Sequence, residues 1–155
     1  MGRETVVKAG DGVAFEDGDD SGRILISARE TDGRYSLMEY RVAARPTGVG
    51  QDLPNFGAHR HNDIEETFLV RRGRLRFLLG QDVFDLQAGD FVRVPPGLRH
   101  GYANLSGENV ELLVGFHPGG FEELFVIHRT DQNPPPSPTG FLEDATLLFA
   151  SEFEV

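Results

Sequence analysis

Hydrophobic and polar residues alternate in short runs along most of the chain. "GRILISA", "RYSLMEYRVA", "ETFLV", "RLRFLL", "VFDLQ", "FVRV", "GYANL" and "VELLVGF" are such runs, and "VVKAGDGVAF" opens the series. Residues two apart on a strand share a face, so these runs predict half-buried strands. Turn-forming stretches, among them "ETDG", "RRG", "AGD" and "PPG", separate them at regular intervals. Many short strands with turns between them predict an all-β sandwich or barrel. Two stretches break the rhythm. Residues 44–57, "ARPTGVGQDLPNFG", read as a long Gly- and Pro-rich loop. From Gly119 the spacing of Phe121, Leu124 and Phe125 becomes helical. "DQNPPPSP", residues 131–138, predicts a stiff connector. After it Phe141, Leu142, Ala145, Leu148, Phe149 and Phe153 fall near one helical face, with a final strand as the competing reading.

The chain has 155 residues, of which 39% are hydrophobic, enough for one domain with its own core. The reading is therefore a single domain over 1–155, with a barrel core over about 5–118 and an extension over 119–155. The net charge of −10 repels phosphate backbones and anionic lipid, so neither nucleic acid nor a membrane is an expected partner. Absence of cysteine removes disulfides and thiolate metal sites. No apolar run is long enough to span a bilayer, and "MGRETVVKAGDG" has no signal-peptide core, which makes the cytoplasm the expected compartment.

The stretch "GAHRHNDIEETFLVRRG", residues 57–73, carries the candidate chemistry. His59 and His61, two apart, point the same way on an extended chain. Asn62 and Asp63 are turn formers, and a turn there brings Glu66 back toward the imidazoles. Two imidazoles and a carboxylate at one point are ligands for a divalent transition metal. A fourth can come from His100, which follows the "PPG" turn at the start of a strand. Burying three imidazoles and a carboxylate merely as packing would be costly. Glu65 is the rival ligand, but strand alternation turns it to the opposite face, where it reads as a solvated rim charge. Tyr102 shares the inward face of His100 and could hold a substrate oxygen, or be a satisfied core tyrosine. Phe68 and Val70 follow Glu66 at even spacing, and Leu75 and Phe77 continue that wall. In a small barrel such a wall is both core and pocket. His117 and His128 read as surface or capping residues, and Arg71, Arg72, Arg74 and Arg76 as a solvated face.

These two stretches resemble the paired motifs of the cupin superfamily. The first motif is His-x-His, four residues, Glu, six residues and Gly, and His59, His61, Glu66 and Gly73 fill it. The second is Gly, five residues, Pro-x-Gly, two residues, His, three residues and Asn, filled by Gly89, Pro95, Gly97, His100 and Asn104. One position departs: Leu53 stands where the family pattern has a glycine ahead of the first histidine. "SARETDGRYSLMEYRVA" and "HPGGFEELF" are further similar to segments of bacterial quercetinase-like cupins.

The resemblance implies a single jelly-roll β-barrel with one divalent metal inside (Fe, Mn, Ni, Zn or Cu) and a homodimer. It implies dioxygenase chemistry; the apolar wall predicts a small, largely apolar or aromatic substrate, an enol or hydroxy-ketone able to chelate the metal, and Glu66, as a carboxylate, can be both ligand and proton acceptor. Such cupins also act as isomerases, cyclases and lyases. A non-catalytic small-molecule-binding module is the reading from another class, and oxygen uptake separates the two. The expected pocket comprises Phe68, Val70, Phe77, Tyr102 and Phe56, the last on the 44–57 loop, which is expected to gate the site.

Overall fold

The computed structural model describes residues 4–44, 58–104 and 106–130. The alternation along the chain becomes nine strands there: β1 (Val13–Asp17), β2 (Asp20–Ile26), β3 (Ser36–Val42), β4 (Glu65–Arg72), β5 (Arg74–Leu79), β6 (Asp82–Gln87), β7 (Phe91–Val94), β8 (His100–Ala103) and β9 (Val110–His117). One helix, α1 (Glu123–Thr130), follows. The strands form a six-stranded sheet, ordered β1-β2-β3-β9-β4-β7, and a three-stranded sheet, ordered β6-β5-β8. The pairings within both sheets are antiparallel. Non-sequential neighbours such as β3 with β9 and β5 with β8 are the crossovers of an all-β jelly roll; the patterning predicted an all-β sandwich or barrel, and the resemblance the jelly roll.

The central strands bury alternate residues because the pleat sends successive side chains to opposite faces. On β3 these are Ser36, Met38, Tyr40 and Val42; on β9 they include Val110, Leu112, Val114 and Phe116. Glu66, Phe68 and Val70 of β4 and Leu75 and Phe77 of β5 complete the interior. The opening run "VVKAGDGVAF" is strand only from Val13, since a turn at Ala9–Gly10 interrupts it. The helical rhythm from Phe121 appears as α1, whose first helical residue is Glu123. The proline-rich connector, the terminal helix and loop residues 45–57 lie outside the described residues. No helix among the described residues is long and apolar enough to cross a membrane.

Registers place the ends of the strands. Glu66 pairs with Phe116 on one side and Val94 on the other, and Ser36 pairs with Phe116. Ser36, Phe116, Glu66 and Val94 thus form one inward row across four strands at one end of the barrel. The opposite end carries the β4–β5 turn at Gly73, whose φ is 85°. A Cβ there would lie 2.9 Å from the Asn109 carbonyl oxygen and 3.0 Å from Val110 Cγ2. Left-handed backbone costs an L-residue about 1–2 kcal/mol even without a clash. Gly73→Ala is therefore expected to destabilise the fold by at least about 1 kcal/mol in urea unfolding. An unchanged midpoint would show that the turn relaxes freely.

Asn104, which closes the second motif, sits at this same far end and is 2% exposed. Its Nδ2 donates toward the carbonyls of Val42 (3.2 Å), Ala43 (3.1 Å) and Glu108 (2.5 Å), and its Oδ1 accepts from Ser106 N (3.0 Å). Its place in the motif is structural: it ties the ends of β3 and β8 and the β8–β9 turn together.

Candidate metal centre

The segment ahead of β4 is extended but does not join a regular ladder. His59 makes an isolated bridge to His100, with His59 N donating to His100 O (2.9 Å) and His100 N to His59 O (2.8 Å). His61 is held from its own main chain: its carbonyl accepts from Gly97 N at 2.7 Å. Gly97 has φ 81°, so the "PPG" turn needs glycine to present that N–H. The two motifs thereby clip to each other through main-chain bonds. Bends at Asn62 and Asp63 then lead past the buried Ile64 into β4.

Strand alternation separates the two glutamates. Glu66 points inward and is 6% exposed, whereas Glu65 pairs with Arg93 on the outer face (2.5 Å). That ion pair, a hydrogen bond first of all, lowers the Glu65 pKa. The structure gathers His59, His61, Glu66 and His100 so that one donor atom from each lies within 4.8 Å of the others. His61, Glu66 and His100 are buried and His59 is half-buried.

The protonation pattern within the cluster tests its chemistry. His100 Nδ1 lies 2.9 Å from the Leu98 carbonyl oxygen, which can only accept, so Nδ1 carries a proton. Its Nε2 faces Glu66 Oε2 at 2.8 Å. His61 Nε2 lies 3.4 Å from the same carboxylate oxygen, is fully buried and has no hydrogen-bond partner. Burial would raise the Glu66 pKa, but the hydrogen bond with His100 and the close approach of His61 outweigh it and hold it at about 2. The carboxylate thus faces two ring nitrogens, and with the His100 ring proton on Nδ1 its Nε2 meets Glu66 Oε2 as one acceptor meets another. Two facing acceptors are reconciled by a shared proton or by a cation that both of them bind. Three imidazoles and one carboxylate, with no thiolate in the chain, form a nitrogen–oxygen donor set that suits Fe, Mn, Ni, Zn or Cu. The donor set and the orphaned nitrogen both fit one divalent ion.

Of the expected pocket residues, Phe68 is 2% exposed, with its ring 6.4 Å from that of His100. Val70 and Phe77 are buried in the apolar core. Tyr102 is half-buried, stacked on Phe77 at 6.2 Å and edge-on to Phe68 at 5.9 Å. The nearby Tyr40 hydroxyl donates to Asp17 Oδ2 at 2.9 Å. Burial pushes both tyrosines well above their usual pKa, so they serve as neutral hydrogen-bonding groups. Phe56 and the expected gate lie outside the described residues. His117 is exposed and stacks on Tyr35. Arg71 and Arg76 of the basic run pair with Glu39 (2.6 Å) and Asp85 (2.8 Å). A groove of about 970 Å³ at the far end, lined in part by Arg74, Arg76, Asp85 and Glu108, touches none of the four clustered residues.

Sequence reasoning missed one neighbour of the centre and the buried glutamate next to it in the chain. Phe121 places its ring 4.6 Å from that of His61, inclined at 64°. Glu122 is completely buried and accepts main-chain N–H bonds from Ala28 (2.6 Å) and Gly120 (2.6 Å). Neither lies in a motif. Their helical spacing marked only the apolar side chains, and a buried glutamate satisfied by main chain leaves no trace in a pattern of apolar positions.

Comparison with known proteins agrees with this geometry. Residues 50–116 match the family model for the cupin domain. The chain is 27% identical over 120 residues to quercetin 2,3-dioxygenase of Bacillus subtilis, covering 77% of this chain and 33% of that protein. It therefore spans about a third of the length of that relative. Among solved structures, a predicted oxalate decarboxylase from Thermotoga maritima superposes with a TM-score of 0.63 at 15% identity, covering 74% of this chain and 99% of that one. An RmlC-like cupin from Shewanella frigidimarina gives 0.59 at 18%, covering 79% and 99%. At these identities the structural likeness speaks for the fold.

Proposed function

We propose, from the premise that this chain carries a cupin domain, that it is a metal-dependent enzyme of the dioxygenase kind. Its substrate would be a small, largely apolar or aromatic enol or hydroxy-ketone. The observation that carries this reading is the buried Glu66 carboxylate with His61 Nε2 and His100 Nε2 both aimed at it. His59, His61, Glu66 and His100 would hold the ion. A bound divalent ion supplies Lewis acidity and, if redox-active, access to dioxygen chemistry. The chain's own contribution is placement and proton handling. Glu66 is ionised at neutral pH and can accept the proton of a substrate hydroxyl that comes within hydrogen-bond reach. The His100 Nδ1–H bond to Leu98 fixes that ring, so its Nε2 stays directed inward. Phe68 and Phe121 give the surroundings an apolar, aromatic lining that suits a ring-bearing substrate and keeps water out. The likeness to a quercetin dioxygenase supports the same class.

The test is to load the protein separately with Fe(II), Mn(II), Ni(II), Cu(II) and Zn(II) and to follow oxygen uptake with small vicinal hydroxy-ketones and enols. Uptake that depends on both the ion and the substrate is the expected result. Substrate consumption without oxygen uptake would point instead to an isomerase or cyclase, and binding without consumption to a binding module.

The two glutamates give a sharper check. Glu66→Gln is expected to lower metal affinity by at least about tenfold, because it removes the centre's anionic ligand. Glu65→Gln, which loses only an outer ion pair with Arg93, is expected to leave metal content per folded chain unchanged. Equal losses in the two variants would show that β4 carries its ligand in another register.

A further inference from the structure

We propose that Phe121 is the specificity-determining wall of the His59–His61–Glu66–His100 centre, fixed from behind by the Glu122 carboxylate, and that it admits narrow ligands while turning away broad ones. The proposal rests on the reading of the cluster as a metal site.

Phe121 touches the centre on two sides. Its ring stands edge-on to His61 at 4.6 Å and packs on Phe116 at 5.0 Å. Phe116 is the direct cross-strand neighbour of Glu66. The same side chain therefore abuts one candidate imidazole ligand and the residue beside the carboxylate. Phe68 approaches His100 from β4, with 6.4 Å between the rings. The centre is thus flanked by an aromatic side chain near His61 and another near His100. Space that two rings confine favours a flat, slender ligand over a bulky one.

Phe121 is not held there by a sheet ladder. It lies in the turn between β9 and α1, where main-chain pairing with a neighbouring strand cannot set its position. Glu122 takes that role. Its Oε1 accepts from Ala28 N, far away in sequence, and its Oε2 accepts from Gly120 N, each at 2.6 Å. Gly119 N donates to Gly33 O at 3.1 Å, and Arg29 pairs with Glu123 at 3.2 Å. A Cβ on Gly119 would stand 2.6 Å from the Tyr35 carbonyl carbon, so the segment already lies as close to the β2–β3 loop as backbone allows. Behind Phe121, Phe125 packs at 6.0 Å and itself rests on Phe15 at 4.8 Å. The Glu122 bonds hold the main chain beside Phe121, and packing on Phe116 and Phe125 holds the ring itself. A fixed wall discriminates by size, whereas a loose one does not.

The experiment uses the full chain loaded with Co(II), whose d–d absorption reports ligands entering its coordination sphere. Imidazole and 4-phenylimidazole are the probes, titrated separately, with metal-free protein as the blank. For the unaltered protein imidazole is expected to bind at least about tenfold more tightly than its phenyl derivative, a ratio within reach of one pocket wall. Phe121→Ala and the gentler Phe121→Leu are expected to bring the two affinities within about threefold of each other. Phe121→Trp is expected to widen the gap. Phe121→Leu keeps the test decisive should the alanine variant fold poorly. If Co(II) is bound and the ratio is the same in the unaltered, leucine and tryptophan proteins, Phe121 is a core residue alone and the proposal is overturned. If the unaltered protein shows no Co(II) spectrum, the metal reading itself has failed, which is seen before either probe is added.

Discussion

His61→Ala is expected to lower affinity for a divalent ion by more than about 100-fold, the upper figure for losing only an outer-shell partner of a metal ligand. Metal content per chain after dialysis, measured by elemental analysis, reads this directly. The metal-free protein makes the effect specific. There His61 Nε2 makes no hydrogen bond, so removing it forfeits none. What the variant loses without metal is ring packing, chiefly the contact with Phe121. Added ion should stabilise the unaltered protein by about 2.7 kcal/mol at 100 times the dissociation constant. The same ion concentration should barely shift the melting temperature of the variant. If His61→Ala keeps a full complement of metal, the ion is held without this imidazole and the four-residue centre is wrong.

Phe77→Ala is expected to destabilise the fold by about 3–5 kcal/mol, the range for deleting a buried aromatic side chain. Phe77 has 0% exposure, with Phe68 at 5.0 Å and Tyr102 stacked at 6.2 Å. Those neighbours belong to packed strands and cannot collapse fully into the vacated space. With a urea m-value of about 1–3 kcal/mol per molar, the midpoint should fall by at least about 1 M. A loss under about 1 kcal/mol would show that the ring borders space already open, as a pocket wall would. The measurement thereby separates the two roles that the sequence leaves joined at this position.

The strands were legible because a pleat has a period of two and one face of each sheet is dry. That logic sets Glu66 apart from Glu65 in the sequence alone, and the Arg93 pair shows why the outer glutamate stays outside. Convergence of the histidines was legible from the motif spacing, since two turns return their strands to one end of a barrel. The bond from Gly97 N to the His61 carbonyl was not legible: main-chain groups are identical in every residue, so their partners leave no signature. Phe121 and Glu122 were missed for a related reason. Helical spacing marks which residues face inward but not which neighbour they meet, and their partners Ala28 and His61 are remote in the chain. Asn104 was visible as part of a motif, yet only its hydrogen bonds show that it serves the far end of the barrel.

The four clustered side chains do not come from one sheet. His100 stands on the three-stranded sheet and His59 is bridged to it, while Glu66 stands on the six-stranded one. An ion held by all of them would act as a rivet between two halves, at the end of the barrel opposite the Asn104 hydrogen bonds that also join them. This chain has no cysteine and so no disulfide. The rivet would be its counterpart of one, with a difference that matters in a changing environment: a chelator undoes it and free ion restores it. The mechanical stiffness of the barrel, and its resistance to proteolysis, would then track the metal supply around it.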